Sequence, residues 1–181
     1  MQHRQAPSKG PSKAGAAGSA HFDLVSHWRL PAPVEEVWSA LTQPETWSTW
    51  WPYVRSVQTL RAGAADGLGA VRRIEWATRL PYRVQVEIEA VEVVRHERLR
   101  GRSQGHLQGE GLWLLRPDGS CTNVTYLWRV ELRKPWMRVL APVLAPVLAP
   151  VFRWNHDGLM RAGSAGLTRF LAQGAGKRRG A

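Results

Sequence analysis

Alternating apolar and polar residues over the first three quarters of the chain predict a run of β-strands joined by tight turns. The clearest alternation lies in residues 82–94, where apolar side chains are separated by charged or polar ones. Seven segments carry a strand pattern, at residues 22–30, 53–62, 69–78, 82–94, 98–107, 109–116 and 121–132. Because most connections between them are of hairpin length, we predict one antiparallel sheet of seven strands.

Two short helical segments interrupt the strands after the first one. Pro33 and the two glutamates that follow it are typical of a helix N-terminus, and this helix is predicted to run to about Leu41. Pro44 opens a second short helix, which carries the tryptophans of segment 47–52. The pattern therefore places both helices between strands 1 and 2.

The period changes to that of a helix after Lys134-Pro135. An apolar stripe at three- and four-residue spacing continues over five turns, at Phe152, His156, Leu159, Gly163, Gly166, Leu167 and Phe170. Upstream, a Leu-Ala-Pro-Val repeat brings prolines to positions 142, 146 and 150. Each proline removes a backbone hydrogen bond, so we predict a kinked, loosened start to the helix, with a polyproline-like segment as the alternative.

These elements predict an α+β fold in which a curved seven-stranded antiparallel sheet wraps around a long C-terminal helix. One amphipathic helix cannot cover seven strands unless the sheet curls around it, and a curled sheet leaves a gap where a ligand can bind. We assign residues 21–172 to this domain. Residues 1–20 are predicted to be a disordered basic tail because of their Gly, Ala and Ser content, and residues 173–181 a second basic tail.

Tryptophan is the unusual feature of the composition. The chain has ten tryptophans but only three tyrosines and three phenylalanines. Because an indole buries a large ring and still needs a partner for its N–H, tryptophan favours pockets and half-buried positions. The composition therefore indicates either a solid core or a cavity lined by indole rings.

The net charge of +11 is concentrated at the termini. The two predicted tails hold six Lys and Arg residues and no acidic residue, whereas the middle of the chain mixes both signs. Basic tails attract phosphates without specificity, so we expect no specific nucleic-acid partner. Together with the Leu-Ala-Pro-Val repeat they do favour transient contact with an anionic membrane.

Neither targeting signals nor cysteines indicate secretion, a membrane span, a disulfide or a metal site. The N-terminus lacks the apolar run of a secretory signal, and segment 139–152 is too short and too rich in proline to span a bilayer. We therefore expect a cytoplasmic protein. The single cysteine, Cys121, excludes an internal disulfide and any multi-cysteine metal site.

Four short segments stand out as motifs. They are Pro-Ala-Pro-Val-Glu-Glu-Val-Trp at 31–38, Trp-Ser-Thr-Trp-Trp-Pro at 47–52, Gly-Leu-Gly at 67–69, and Lys-Pro-Trp-Met with Trp-Asn-His-Asp-Gly-Leu-Met between 134 and 160. Over residues 22–172 the chain resembles the START/polyketide-cyclase superfamily, SRPBCC, and the last pair is similar to a bacterial branch labelled polyketide cyclase/dehydrase. The resemblance implies the helix-grip fold with a hydrophobic cavity. Members include lipid carriers, ligand sensors, co-chaperones and aromatase/cyclases, so the fold alone does not define the chemistry.

The expected cavity takes its lining from several predicted elements. We expect the ligand to contact Trp47, Trp50, Trp51, Trp76, Val86, Ile88, Trp113, Tyr126, Trp128, Phe152, His156 and Leu159. The first three, from the second short helix, are predicted to form a lid over the open end of the sheet.

His156 and Tyr126 are the candidate catalytic residues. His156 lies on the apolar stripe, where a buried neutral ring acts as a base or a ligand anchor, or is a structural histidine bonded to a neighbour. Tyr126 lies in the apolar register of its strand, where its hydroxyl polarises a carbonyl or bonds to backbone. Glu75 and Glu110 are further candidates for a general base, but Arg73 beside Glu75 favours a solvated ion pair.

No motif indicates a metal or a cofactor, and we expect neither. The six histidines are scattered, and the glycines of segment 105–111 precede no helix that would receive a phosphate, so they are predicted to mark β-bulges. We therefore predict that the protein binds a hydrophobic small molecule, lipid or polyketide-like, as a carrier or sensor. The alternative is a polyketide cyclase or aromatase that acts on a ligand in the same cavity.

Overall fold

The computed structural model describes residues 21–77, 83–105, 107–132 and 135–179, and the side chains of 22–77, 83–105, 107–131 and 150–176. The predicted disordered tail, 1–20, lies outside the described residues. The strands are β1 (His21–Leu30), β2 (Val54–Arg61), β3 (Val71–Ala77), β4 (Arg83–Val94), β5 (Arg98–Gly105), β6 (Leu107–Asp118) and β7 (Cys121–Leu132). The helices are α1 (Val34–Thr42), α2 (Trp47–Trp50) and α3 (Pro135–Arg179), with a 3₁₀ turn at Pro44–Thr46.

All seven strands form one open antiparallel sheet in the order β1-β7-β6-β5-β4-β3-β2. Strands β2 to β7 follow one another as hairpins, and β1 pairs with β7 at the far edge. The predicted number of strands, their antiparallel pairing and the two short helices after β1 are confirmed. This is the helix-grip architecture.

The outer face of the sheet carries ion pairs between neighbouring strands. Arg73 on β3 lies 2.7 Å from Glu87 on β4, and Arg83 on β4 lies 2.8 Å from Glu75 on β3. These are the polar positions that alternate with the buried ones, as in a sheet with one dry face and one wet face. The interpretation of Glu75 as part of a solvated ion pair is confirmed, although its partner is Arg83 and not Arg73.

The backbone of α3 is helical from Pro135 to Arg179, through all three prolines of the Leu-Ala-Pro-Val repeat. The alternative of a polyproline-like segment is therefore wrong. A proline at position 135 suits the first turn of a helix, because its missing N–H would have no partner there. The helix also includes residues 173–179, which the charge pattern assigned to a basic tail.

The core lies where α3 packs on β1, α1 and α2. Leu167 of α3 is fully buried, as are Leu30 of β1 and Val37 of α1. Phe170 was predicted to continue the buried stripe but is 37% exposed, and Leu171 is buried instead. Both positions lie within one turn of Leu167, and the sequence period does not distinguish between them.

Candidate functional site

A cavity of about 170 Å³ lies between the sheet and α3, and most of its lining is apolar. Strands β3 to β7 provide one wall, and residues 152–160 of α3 provide part of the opposite one. Two tryptophans from α2 and the residue after it (residues 47–51, the α2 segment), Trp47 and Trp51, line the cavity on a third side. The gap that the curled sheet predicts is therefore present.

Two glycines face each other across β5 and β6 and create space at the sheet wall. Gly101 pairs with Gly111, and both line the cavity. A Cβ atom on Gly111 would lie 2.6 Å from the Tyr126 hydroxyl, and one on Gly101 would lie 2.6 Å from Cγ2 of Ile88. Gly111 pairs in continuous register with both β5 and β7, so the prediction that it marks a β-bulge is wrong. It instead leaves room for the Tyr126 ring, which a side chain at position 111 would displace.

The indole rings around the cavity are fixed by contacts with one another and with the backbone. The Trp51 ring lies edge-on to that of Trp76, at 4.9 Å between centroids. Its Nε1 donates a hydrogen bond to the carbonyl of Leu159 in α3 at 2.9 Å, and Nε1 of Trp47 donates to Ala40 at 3.2 Å. Because these N–H groups have partners, both rings can line an apolar space without an unsatisfied donor.

Beyond Met160, α3 lies directly on the α2 segment, which closes this end of the cavity. A Cβ atom on Gly163 would lie 2.5 Å from the Trp51 ring, and one on Gly166 would lie 1.8 Å from the carbonyl oxygen of Trp50. Only glycine allows so close an approach between helix and backbone. The same segment of α2 therefore both anchors α3 and bounds the cavity.

His156 is the most buried polar group of the cavity lining on α3. The residue is 4% exposed, and its ring stacks on that of Trp128, at 5.5 Å between centroids. Among the described residues neither ring nitrogen has a hydrogen-bond partner. The nearest carboxylate oxygen, of Asp157, lies 3.6 Å from Nδ1, which is beyond hydrogen-bond distance.

Burial also determines the charge of His156. Loss of hydration lowers its pKa from the ordinary value of 6.5, and this outweighs the opposite influence of Asp157. The ring is therefore neutral at pH 7, with one nitrogen as a donor and the other as an acceptor. A neutral imidazole on a cavity wall can hydrogen-bond a ligand or accept a proton from it.

Tyr126 provides a second polar group on the opposite wall. Its ring stacks on Trp113 at 4.1 Å between centroids. Burial raises the pKa of its hydroxyl, which therefore stays protonated at any physiological pH. Among the described residues the hydroxyl makes no hydrogen bond, so the alternative of a hydroxyl bonded to backbone is not supported there.

Three charged residues line the cavity, and each has a partner. Nε of Arg72 donates to Glu45 at 2.8 Å, and Nε of Arg100 donates to Glu92 at 2.9 Å. The carboxylate of Asp66 accepts a hydrogen bond from the backbone N–H of Leu68. Both arginines of the described lining are therefore paired with carboxylates, whereas Asp66 bonds to backbone.

The structure brings eleven of the twelve predicted contact residues to the cavity. They are Trp47, Trp51, Trp76, Val86, Ile88, Trp113, Tyr126, Trp128, Phe152, His156 and Leu159. The twelfth, Trp50, is stacked on Trp51 at 5.3 Å between centroids and is not among the lining residues described. Glu75 and Glu110 are not among them either, and Glu110 lies 3.7 Å from Arg100.

Sequence reasoning missed several lining residues, among them Gly101, Asn155 and Ser103. Asn155 precedes His156 on α3, and Ser103 is buried with its hydroxyl 3.4 Å from the carbonyl of Gly109. The signal that could identify Gly101 is its pairing with another glycine on the adjacent strand, and this pairing can be recognised only when the strand register is known.

Metal and membrane features add nothing to the site. Within the described ranges, no three His, Cys, Asp or Glu side chains are grouped as ligands for a metal ion. No helix in the described part of the chain is long and apolar enough to cross a membrane.

Residues 22–171 match a family model described as polyketide cyclase / dehydrase and lipid transport. A search of curated proteins gives no match. Among solved structures, a START superfamily protein from Mycobacterium smegmatis has a TM-score of 0.68 at 16% identity, covering 85% of this chain and 99% of that one. The Zhui aromatase/cyclase from Streptomyces sp. R1128 has a TM-score of 0.64 at 14% identity, covering 84% and 96%. At these identities the likeness shows the fold alone.

Proposed function

We propose that this chain, which belongs to the polyketide cyclase / dehydrase and lipid transport family of the SRPBCC superfamily, binds a hydrophobic small molecule as a carrier or sensor. The observation that supports the proposal is the largely apolar cavity between the sheet and α3, whose lining includes five indole rings. Such a space is costly to keep empty, because its walls lose dispersion contacts. A ligand that fills it recovers those contacts.

The expected affinity follows from buried area. A flat ligand that buries about 300 Å² of apolar surface gains roughly 7 kcal/mol, at about 25 cal/mol per Å². Part of this gain is lost to the immobilisation of the ligand. Aromatic walls add face and edge contacts with planar ligands, so we expect dissociation constants on the order of 10 to 100 micromolar for polycyclic or polyketide-like molecules.

The test is to fill the cavity with a side chain. Ile88 lines it, so Ile88→Trp should weaken binding of a neutral aromatic probe such as naphthalene at least tenfold, measured by isothermal titration calorimetry. Val25→Trp is the matched control, because Val25 is 53% exposed on β1. The proposal fails if naphthalene does not bind the wild-type protein, or if both variants bind it equally well.

A second candidate function is that of a cyclase or aromatase. The supporting observation is a pair of polar groups in the cavity lining: His156, whose nitrogens have no partner among the described residues, as a base, and Tyr126 as a hydrogen-bond donor. An intramolecular carbon–carbon ring closure needs two groups of this kind. A base removes a proton next to one carbonyl, and a hydrogen-bond donor polarises the carbonyl that is attacked. An enzyme would convert a poly-β-ketone, whereas a carrier would release it unchanged, and mass spectrometry of the recovered ligand separates the two. His156→Ala should then reduce turnover far more than affinity.

Transient contact with an anionic membrane is proposed as the route of ligand exchange. Its support is the outer face of α3, where Trp154 is 50% exposed and Val151 is 39% exposed, beside the exposed Arg153 and Arg161. Indole and cationic side chains are the groups that anchor proteins at an anionic interface. Co-sedimentation with vesicles should require anionic lipid and weaken with salt, and binding that lacks either property would contradict the proposal.

A further inference from the structure

We infer that the ligand of this cavity is uncharged and carries a hydroxyl or carbonyl group that hydrogen-bonds to His156. The inference rests on the proposed function, because it specifies the chemical class of the ligand that the cavity holds. It follows from three observations: an unsatisfied buried imidazole, further polar groups beside it, and the absence of a free cation among the described lining residues.

The first observation is the state of the imidazole. The His156 side chain is only 3% exposed, and neither of its ring nitrogens has a hydrogen-bond partner among the described residues. An unsatisfied buried polar group costs about as much as a lost hydrogen bond, so a site evolved without a ligand partner would favour an apolar side chain here. Trp128 covers one face of the ring, so the edges that carry the nitrogens remain for a partner.

The second observation is where the other polar groups lie. Asn155 is the neighbour of His156 on α3 and lines the cavity, and Tyr126 lies two residues before Trp128 on the same face of β7. The rest of this region is apolar, including Phe152 and Leu159. His156, Asn155 and Tyr126 therefore offer a few polar groups in an otherwise apolar part of the lining, which matches a ligand with one polar group on an apolar body.

The third observation concerns charge. Arg72 and Arg100, the two cationic lining residues described, are already hydrogen-bonded to Glu45 and Glu92. Asp157 holds a carboxylate 3.6 Å from His156, which disfavours a second anion nearby. A buried carboxylate on the ligand would be desolvated without a counter-ion, at a cost far above that of a neutral hydroxyl. The ligand is therefore a neutral alcohol, phenol or ketone and not a free fatty acid.

The experiment compares three probes that share one ring system: naphthalene, 2-naphthol and 2-naphthoate at pH 7.5. In the wild-type protein, 2-naphthol should bind roughly three- to tenfold more tightly than naphthalene because of its hydrogen bond, and 2-naphthoate should bind most weakly. His156→Phe keeps a flat ring against Trp128 but removes both nitrogens. In this variant 2-naphthol should bind no better than naphthalene, because its hydroxyl is desolvated without a partner.

His27→Phe is the matched control, because His27 is exposed on β1 and its Nδ1 lies 3.1 Å from the hydroxyl of Thr125. It should leave the order of the three probes unchanged. If His156→Phe does not fold, His156→Gln keeps a donor and an acceptor and should retain part of the preference for 2-naphthol. A wild-type protein that prefers 2-naphthoate, or a preference for 2-naphthol that survives His156→Phe, overturns this inference and leaves the proposed function intact. If none of the three probes binds, both fail.

Discussion

Helix α3 meets the rest of the protein in two contrasting regions, and glycine has opposite effects in them. In the closed region, residues 163–171, glycines on the helix allow it to approach Trp50 and Trp51 with no room for a Cβ atom. In the open region, residues 152–160, the helix faces Gly101 and Gly111 of the sheet, whose missing side chains leave room for the cavity.

The difference shows how one interface can be both stable and hollow. A cavity reduces stability in proportion to the contacts that its walls lose. The closed region provides close packing within the same helix, with Leu167 fully buried and Trp51 hydrogen-bonded to the helix backbone. We therefore expect substitutions in the closed region to change stability and substitutions in the open region to change binding.

The largest effect is expected at Gly166 in the closed region. A Cβ atom there would lie 1.8 Å from the carbonyl oxygen of Trp50, and backbone cannot move aside as a side chain can. Gly166→Ala should lower the free energy of unfolding by about 3 kcal/mol or more, measured by urea denaturation.

Gly158→Ala is the matched control on the same helix, because a Cβ atom at Gly158 has no neighbour within 4 Å. This variant should be more stable than wild type by up to about 1 kcal/mol, from helix propensity alone. Equal effects of the two substitutions would show that α3 does not depend on the close approach at Gly166.

The next effect is expected at Trp51, which belongs to both regions. Trp51→Phe removes the hydrogen bond to Leu159 and part of a buried ring, so the free energy of unfolding should fall by about 2 kcal/mol. Trp154→Phe changes the same residue type on the exposed face of α3 and should stay within about 0.5 kcal/mol of wild type. A similar loss in both variants would mean that indole burial at Trp51 does not anchor the helix.

A smaller effect, on binding and not on stability, is expected in the open region. Gly111→Ala places a methyl group 2.6 Å from the Tyr126 hydroxyl, which must then move into the cavity. Naphthalene binding should weaken about tenfold, while the free energy of unfolding changes by less than about 1 kcal/mol. Unchanged affinity, together with a large loss of stability, would place Gly111 in the structural role that Gly166 has.

Much of this architecture could be predicted from the sequence because it depends on local period. The alternation in residues 82–94 indicated β4, and Pro33 with its two glutamates indicated the start of α1. Contact residues such as Trp76 and Trp128 could be selected because an aromatic side chain on the apolar face of a strand points into the space that the sheet encloses.

The remaining features depend on register and on three-dimensional packing. Nothing in the sequence shows that Gly101 pairs with Gly111, so their shared role in the sheet wall was missed. Trp50 and Trp51 are adjacent and identical, yet only Trp51 lines the cavity. Which of two neighbouring indoles faces inward depends on how α2 docks on α3, which local period does not specify.

The smallest effect is expected from pH, and it tests whether His156 is buried as neutral imidazole. Its folded pKa lies below the ordinary value of 6.5, so the folded protein binds its proton at lower pH than the unfolded chain does. The free energy of unfolding is therefore unaffected by this group well above pH 6.5, and it decreases as the pH falls below that value. Between pH 7.5 and 5.5 the loss is at most about 1.4 kcal/mol for one group.

The measurement is the free energy of unfolding of wild type and His156→Phe at pH 7.5, 6.5 and 5.5. The wild-type protein should lose more stability than the variant over this range, because the variant has no proton to bind at this position. Partial burial raises the pKa of Glu45, but its hydrogen bonds and the charge of Arg72 together lower it further, to below 4.5, so its contribution is lost only at more acidic pH. The chosen range therefore avoids Glu45. An identical pH dependence in the two proteins would mean that the folded protein protonates His156 as readily as the unfolded chain does. Water would then reach the imidazole, and the open region would be hydrated and not dry.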